Sequence, residues 1–330
     1  MVIRSSSSDR KVSLRDNQRL SNICKTLLWQ CACLLRMFVH YAKTRTPPVY
    51  CFPIATVLSF LLISKTLMLE HLLVAFGVGI TSYFLGLATY VYNDLTDIDV
   101  DKINRKEQSI ITQNQSKSLL TILVIFLFGI SLSISYLISY FAFIISITFT
   151  FLGIIYSHPK FNLKSRFPMK TIVTAIGAGL LSLLGAAALA DGSGHVLYSN
   201  TTVLPLSTIY LAFSFSIFYF IQSLMGDIAD IKGDRAASRR TFPLVLGMSK
   251  TVAVMLSVPF IILAMNGLCF GIMHISVLGT IAIVGTCLLV VAFIGWISNR
   301  LHDPLFIKSN RNKVRYLNIL MQVSILIALI

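Results

Sequence analysis

Acidic residues are scarce in this 330-residue chain: 13 Asp and Glu stand against 28 Lys and Arg, and only 12% of all residues are charged. That fraction is about half the roughly 25% of soluble domains, and 55% of the residues are hydrophobic, which excludes a soluble domain and a disordered chain. A Gly-X-Y repeat is absent, so the chain is not collagenous. The six cysteines (Cys24, Cys31, Cys33, Cys51, Cys269, Cys287) are few for so long a chain, form no CxxC pair and read as small apolar residues, which excludes a disulfide-stapled module. What remains is a polytopic membrane protein.

Apolar runs of spanning length fall at about 48–68, 71–92, 118–136, 138–156, 170–190, 205–225, 251–270, 275–297 and 315–330. These predict an all-α bundle of about nine transmembrane helices. The border between the third and fourth is weakly marked. Lys and Arg number nine before the first span, four in 93–117, four in 157–170, five in 226–250 and five in 298–315, so 27 of the 28 lie in segments facing one way. The positive-inside rule makes that face cytoplasmic, or its organelle equivalent. The net charge of +15 is then a topology signal, and nucleic-acid binding is not expected.

Residues 1–16, rich in Ser and basic groups, read as a disordered tail. Over 17–42, Leu20, Ile23, Leu27, Leu34 and Phe38 recur at helical spacing among Lys25 and Arg36, which suits an amphipathic helix in the membrane interface. The transmembrane domain is expected over 43–330. Gly177, Gly179, Gly185 and Ala186 to Ala188 read as close helix packing.

Seven of the thirteen acids fall in two short clusters: Asp94, Asp97, Asp99, Asp101, and Asp227, Asp230, Asp234. Asp94, Asp97, Asp101 and Asp227, Asp230, Asp234 share the spacing i, i+3, i+7 at a constant offset of 133. On a helix this puts three carboxylates on one face, whereas Asp99 falls about 200° from Asp97 and is expected to point elsewhere. Like charges so arranged call for a cation. Carboxylates without Cys or His partners suit Mg²⁺, which keeps several waters and combines one or two carboxylates with substrate phosphate. Asn93 adds a neutral oxygen to the same face. Among the accompanying bases, Lys160, Lys164, Arg239 and Arg240 are the favoured diphosphate contacts, since Lys and Arg bind phosphate oxygens directly.

The string NDLTDIDVD, Asn93 to Asp101, resembles the NDxxDxxxD motif of the UbiA superfamily of intramembrane prenyltransferases, and DIKGD, Asp230 to Asp234, resembles its second motif. YSHPKFNLK is similar to the family's YxxxK loop, and TRTPP at 44–48 to the Arg-containing start of its first helix. The resemblance implies a bundle around a central cavity open to lipid, two Mg²⁺ ions and a polyprenyl diphosphate donor. It assigns Asn93, Asp94, Asp97 and Asp101 to the first metal site and Asp230 and Asp234 to the second, with Asp227 assisting. It also implies substrate contacts from Arg45, Tyr156 and Lys160. Where many members have Arg-Pro after the first motif, this chain has Gln108 and Ser109.

The expected reaction is transfer of a prenyl group to a lipophilic acceptor of aromatic, chlorin or glycerol-phosphate type. A terpene cyclase of the same superfamily is the alternative, which the altered pair at 108–109 keeps open. A cation transporter is disfavoured, because transporters place ionisable groups near the midplane and these spans are nearly acid-free.

Overall fold

The computed structural model describes residues 7–64, 68–103, 117–189 and 204–330. The chain divides into two compact units, Met1–Thr44 and Arg45–Ile330. Most of helix α1 (Ser7–Val49) makes up the first. It already includes residues 7–16, expected as tail, and it exposes Leu28, Trp29, Leu35 and Val39.

In the second unit, Tyr50 forms a turn and α2 (Cys51–Ser64) follows, then α3 (Leu69–Thr96), the short α4 (Ile98–Ile103), α5 (Lys117–Ile138) and α6 (Tyr140–Ser157). A 3₁₀ turn at Leu163–Ser165 leads into α7 (Met169–Ala187) and α8 (Leu206–Ala229). Two short helices, α9 (Ile231–Ala236) and α10 (Phe242–Val245), precede α11 (Met248–Phe270), α12 (Val277–Ser298) and α13 (Pro304–Leu329). Among the described residues there is no strand. Among the described residues seven helices (α3, α5, α6, α7, α8, α11 and α12) are long and apolar enough to cross a membrane. The other two expected spans differ: α2 is apolar but has 14 residues, and α13 begins in a basic segment well before residue 315.

Physical signals explain the borders. Ser139 separates α5 from α6 with extended backbone (φ −164°, ψ 143°). Its hydroxyl accepts from the Ala142 amide at 3.4 Å and donates to the Ala187 carbonyl at 2.9 Å, so one serine caps a helix and ties its end to α7. At α13, Asp303 accepts from the Leu305 and Phe306 amides (3.0 and 3.1 Å) with Pro304 at the first helical position.

Close crossings rest on small residues. A Cβ at Gly185 would collide with the Thr56 carbonyl of α2, and one at Gly279 with Ala328 of α13. Thr56 Oγ1 also donates to the Leu181 carbonyl at 2.6 Å, so α2 and α7 touch backbone to backbone. Cys51, Cys269 and Cys287 are buried thiols without disulfide partners, packed as apolar residues.

Candidate active site

The two acidic clusters sit at the ends of α3 and α8, and both contain a break that helical spacing does not announce. Asp97 (φ −111°, ψ 13°) ends α3 and Asp230 (φ −101°, ψ 10°) ends α8. Each is followed by a six-residue helix, α4 or α9. The expectation of three carboxylates on one continuous helix face is therefore corrected: the middle Asp of each set is a hinge. The correct spacing survives because the chain re-enters a helix at once, with the Asp101 amide donating to the Asp97 carbonyl (2.8 Å) and the Asp234 amide to that of Asp230 (3.0 Å).

The two short helices pack against each other. Asp94, Asp97, Asp101, Asp227 and Asp234 are buried and Asp230 is partly so, whereas Asp99 is exposed. Burying carboxylates is costly unless each is paired, and the pairing shows how the site is built. Arg239 joins both clusters: one guanidinium nitrogen pairs with Asp97 Oδ1 and the other lies 3.4 Å from Asp234 Oδ1. One planar side chain thus spans the gap between the two acidic tips.

Lys164, on the 3₁₀ turn, places Nζ 2.7 Å from Asp97, 2.7 Å from Thr96 Oγ1 and 3.3 Å from Asn93 Oδ1. Asn93 Oδ1 also accepts from Ser157 at 3.1 Å. Arg45 pairs with both oxygens of Asp94, its Nε 3.0 Å from Oδ2, and lies 5.6 Å over the Tyr90 ring. Lys170, in the first turn of α7, sits 2.7 Å from Asp227 and 2.9 Å from Asp234.

Electrostatics follow from this packing. Burial works against the charge on Asp97, yet Lys164 and Arg239 outweigh it and hold the carboxyl below the usual carboxylate range. Lys164 stands below its ordinary value, because burial outweighs the pull of an Asp97 that Arg239 shares. For Arg239 burial is overcome by Asp97 and Asp234, and its pKa rises.

Not every expected contact converges. Lys160 is exposed on the turn after α6, where its backbone amide meets His158 Nδ1 at 3.2 Å. The side chain of Arg240 is exposed, although its amide donates to the Ser165 carbonyl at 3.0 Å and ties the loop after α9 to the 3₁₀ turn. Gln108 and Ser109 lie outside the described residues.

Sequence reading missed Lys170, counted only as a topology charge. A signal was present: a cation in the first turn of a helix opposes the helix dipole and needs a local carboxylate to justify it.

Against this polar end lies a mostly apolar cavity, lined by Gly86, Thr89, Tyr90 and Asn93 of α3, by Phe149, Gly153 and Tyr156 of α6, by Thr174 and Gly177 of α7, and by Tyr219 of α8. Asn93 and Tyr156 belong both to its wall and to the motifs, so the cavity begins where the carboxylates end.

Comparison with known proteins matches the model of the UbiA prenyltransferase family to residues 50–317. The chain belongs to that family. This UbiA chain is 29% identical over 174 residues to a digeranylgeranylglyceryl phosphate synthase of Thermococcus sibiricus, a match covering 52% of this chain and 57% of the relative. It is 31% identical over 166 residues to the synthase of the same name from Sulfurisphaera tokodaii, covering 49% and 54%. The chain thus spans a little over half the length of these curated relatives. A structure of a UbiA homologue from Archaeoglobus fulgidus bound to DMAPP and Mg²⁺ superposes with a TM-score of 0.60 at 19% identity, covering 88% of this chain and 99% of that one. That likeness establishes the UbiA fold.

Proposed function

We propose that this protein is an integral-membrane prenyltransferase that moves a prenyl group from a polyprenyl diphosphate to a lipophilic acceptor, of which a glycerol-phosphate lipid is the favoured class. The observation that carries the reading is the Arg239 bridge between Asp97 and Asp234, which brings two acidic tips to the polar mouth of an apolar cavity. The names of the two curated relatives support the acceptor class, and the Archaeoglobus structure supports a diphosphate donor with Mg²⁺.

The donor set fits a hard cation. The tips offer carboxylate and amide oxygens, and among the described residues no three His, Cys, Asp or Glu converge as a self-sufficient cage. Mg²⁺ is ordinarily held by one or two carboxylates together with phosphate and water, so tips of this kind suit it. One or two carboxylates from Asp94, Asp97 and Asp101, with Asn93, would hold one ion, and one or two from Asp227, Asp230 and Asp234 a second. When bound, Mg²⁺ supplies positive charge to the diphosphate as its bond to the allylic carbon lengthens.

The chain's own groups do the rest. Lys164, Arg239 and Lys170 hold the diphosphate oxygens by charge-assisted hydrogen bonds, with Arg45 behind Asp94 keeping that carboxylate oriented. Tyr156 and Asn93 mark the border at which the reacting carbon leaves the polar zone. The apolar walls shield the allylic cation from water until an acceptor oxygen or electron-rich carbon attacks it. The acidic tips, the 3₁₀ turn and the loop bearing Arg239 lie at one end of the bundle, and the charge distribution supports placing that end on the cytoplasmic, or organelle-equivalent, side. Residues 17–42 would lie in a membrane interface through the apolar face of α1.

The test is purified protein in nanodiscs supplied with C10 to C20 diphosphates and a panel of acceptors, read by mass spectrometry. Joined products that vanish on EDTA treatment and in Asp97→Ala and Asp230→Ala support the reading. Native-rate diphosphate release from those variants overturns it. A cyclic hydrocarbon or alcohol formed without acceptor replaces transfer by cyclisation.

A further inference from the structure

The active site absorbs the acids of α3 and α8 but leaves a second polar feature unexplained. Along α13, Arg311, Arg315, Asn318 and Gln322 are spaced by four, three and four residues, which places them on one helix face. That face runs roughly 16 Å along the axis at 1.5 Å per residue. It does not point to solvent: Arg315, Asn318 and Gln322 are buried at 5%, 0% and 0% exposure, and α13 packs against α8 and α2.

Nor is the face satisfied internally. Both polar side-chain atoms of Asn318 and of Gln322 lack a hydrogen-bond partner, as do Nε of Arg311, Nε of Arg315 and Oε1 of Gln222 on α8. Among the described residues no carboxylate pairs with either arginine, and Arg315 reaches only Asn312 through Nη1. Buried polar atoms are nearly always hydrogen-bonded, to protein, ordered water or ligand, and buried charges are paired, so seven such atoms on one facing surface mark a place where a polar ligand is accommodated at little desolvation cost.

Position says what that ligand is attached to. The Arg311 guanidinium lies against Gly226, where an added Cβ would come within 3.2 Å of Nη2, and the next residue is Asp227. Arg315 shares its surroundings with Tyr90 and Tyr219, whose hydroxyls are 2.9 Å apart and which also line the central cavity. The face therefore starts beside the second acidic tip and runs inward behind the part of the cavity wall that Tyr90 and Tyr219 form, with two guanidiniums first and neutral amides deeper. This order matches an amphiphile with an anionic phosphate head followed by hydroxyl or ether oxygens.

We propose that Arg311 and Arg315 bind the phosphate of the glycerol-phosphate acceptor, with Asn318, Gln322 and Gln222 taking the glycerol oxygens. The inference rests on the transferase reading and gives it a second site, separate from the one that holds the donor. A phosphate monoester can also come from the bilayer, as phosphatidic acid, and the experiment separates the two.

Full-length protein in phosphatidylcholine nanodiscs, with and without phosphatidic acid, is assayed with a polyprenyl glycerol phosphate and with the corresponding unphosphorylated polyprenyl glycerol. For Arg315→Gln and Arg311→Gln the KM for the phosphorylated acceptor is expected to rise at least tenfold. The preference over the unphosphorylated acceptor should collapse, donor KM should move less than twofold, and Arg315→Lys should restore part of the loss. Should a variant fail to fold, thermal stabilisation of the wild-type protein by the phosphorylated but not the unphosphorylated lipid carries the same information. An unchanged acceptor KM together with loss of co-purified phosphatidic acid from Arg315→Gln, seen by native mass spectrometry, keeps the anion site and assigns it to the bilayer lipid. No change in acceptor KM, lipid retention or ligand-induced stabilisation overturns the site. If the wild-type protein releases no diphosphate with any acceptor, the transferase reading fails instead, and that outcome is distinct.

Discussion

The two acidic tips share a backbone and differ in how their charge is balanced. Each consists of a long helix, a single hinge aspartate and a six-residue helix. In the first tip, Asp94 has Arg45, and Asp97 has both Lys164 and Arg239. In the second, Lys170 serves Asp227 and Asp234 together, with Arg239 at 3.4 Å from Asp234. Repetition of the chain path thus does not carry repetition of the cations. They arrive from α1, from the 3₁₀ turn, from α7 and from the loop after α9, so Asp94 and Asp97 of the first tip draw three cations, whereas in the second one lysine is shared between Asp227 and Asp234.

Several substitutions would break or sharpen that contrast. Asp97→Ala and Asp234→Ala, one from each tip, should each lower diphosphate release by at least about 10²-fold, the scale of removing one charge-stabilising group from a transition state. Unequal losses of more than tenfold would show that one tip alone carries the chemistry. Next comes Lys170→Met, which strips two buried carboxylates of their shared partner. Removing one member of a buried pair costs about 3–5 kcal/mol, so the apparent unfolding temperature should fall clearly. Lys164→Met should fall by less, since Arg239 still faces Asp97; equal shifts in thermal unfolding would remove the asymmetry drawn here. Arg239→Lys keeps the charge but loses the planar fork that reaches both tips, and kcat is expected to drop about tenfold with the fold intact. Asp99→Ala is the smallest change: substitution of this exposed residue should leave stability within about 0.5 kcal/mol and turnover unaltered.

Apolar runs and the interval between acids make the bundle and both tips legible in sequence, because spanning length and helical period are properties of the chain alone. The hinges at Asp97 and Asp230 escape that reading. A break of one residue that resumes a helix immediately leaves the three- and four-residue intervals untouched, so periodicity cannot register it. Lys170 escapes for another reason: near a membrane, a basic residue already has an explanation in topology, and its dipole-opposed position in α7 was the clue that separated it from Arg166. Placement of the first helix pair is similar. A 14-residue α2 follows α1 after one turn at Tyr50, so the long apolar stretch at 48–68 overstates the helix within it.

The bond from the Arg240 amide to the Ser165 carbonyl links two rim segments main chain to main chain, and such a link makes no demand on either side chain. Mutational drift at both positions can proceed without loosening the joint. A rim sewn together this way keeps its outline whichever side chains those two positions carry.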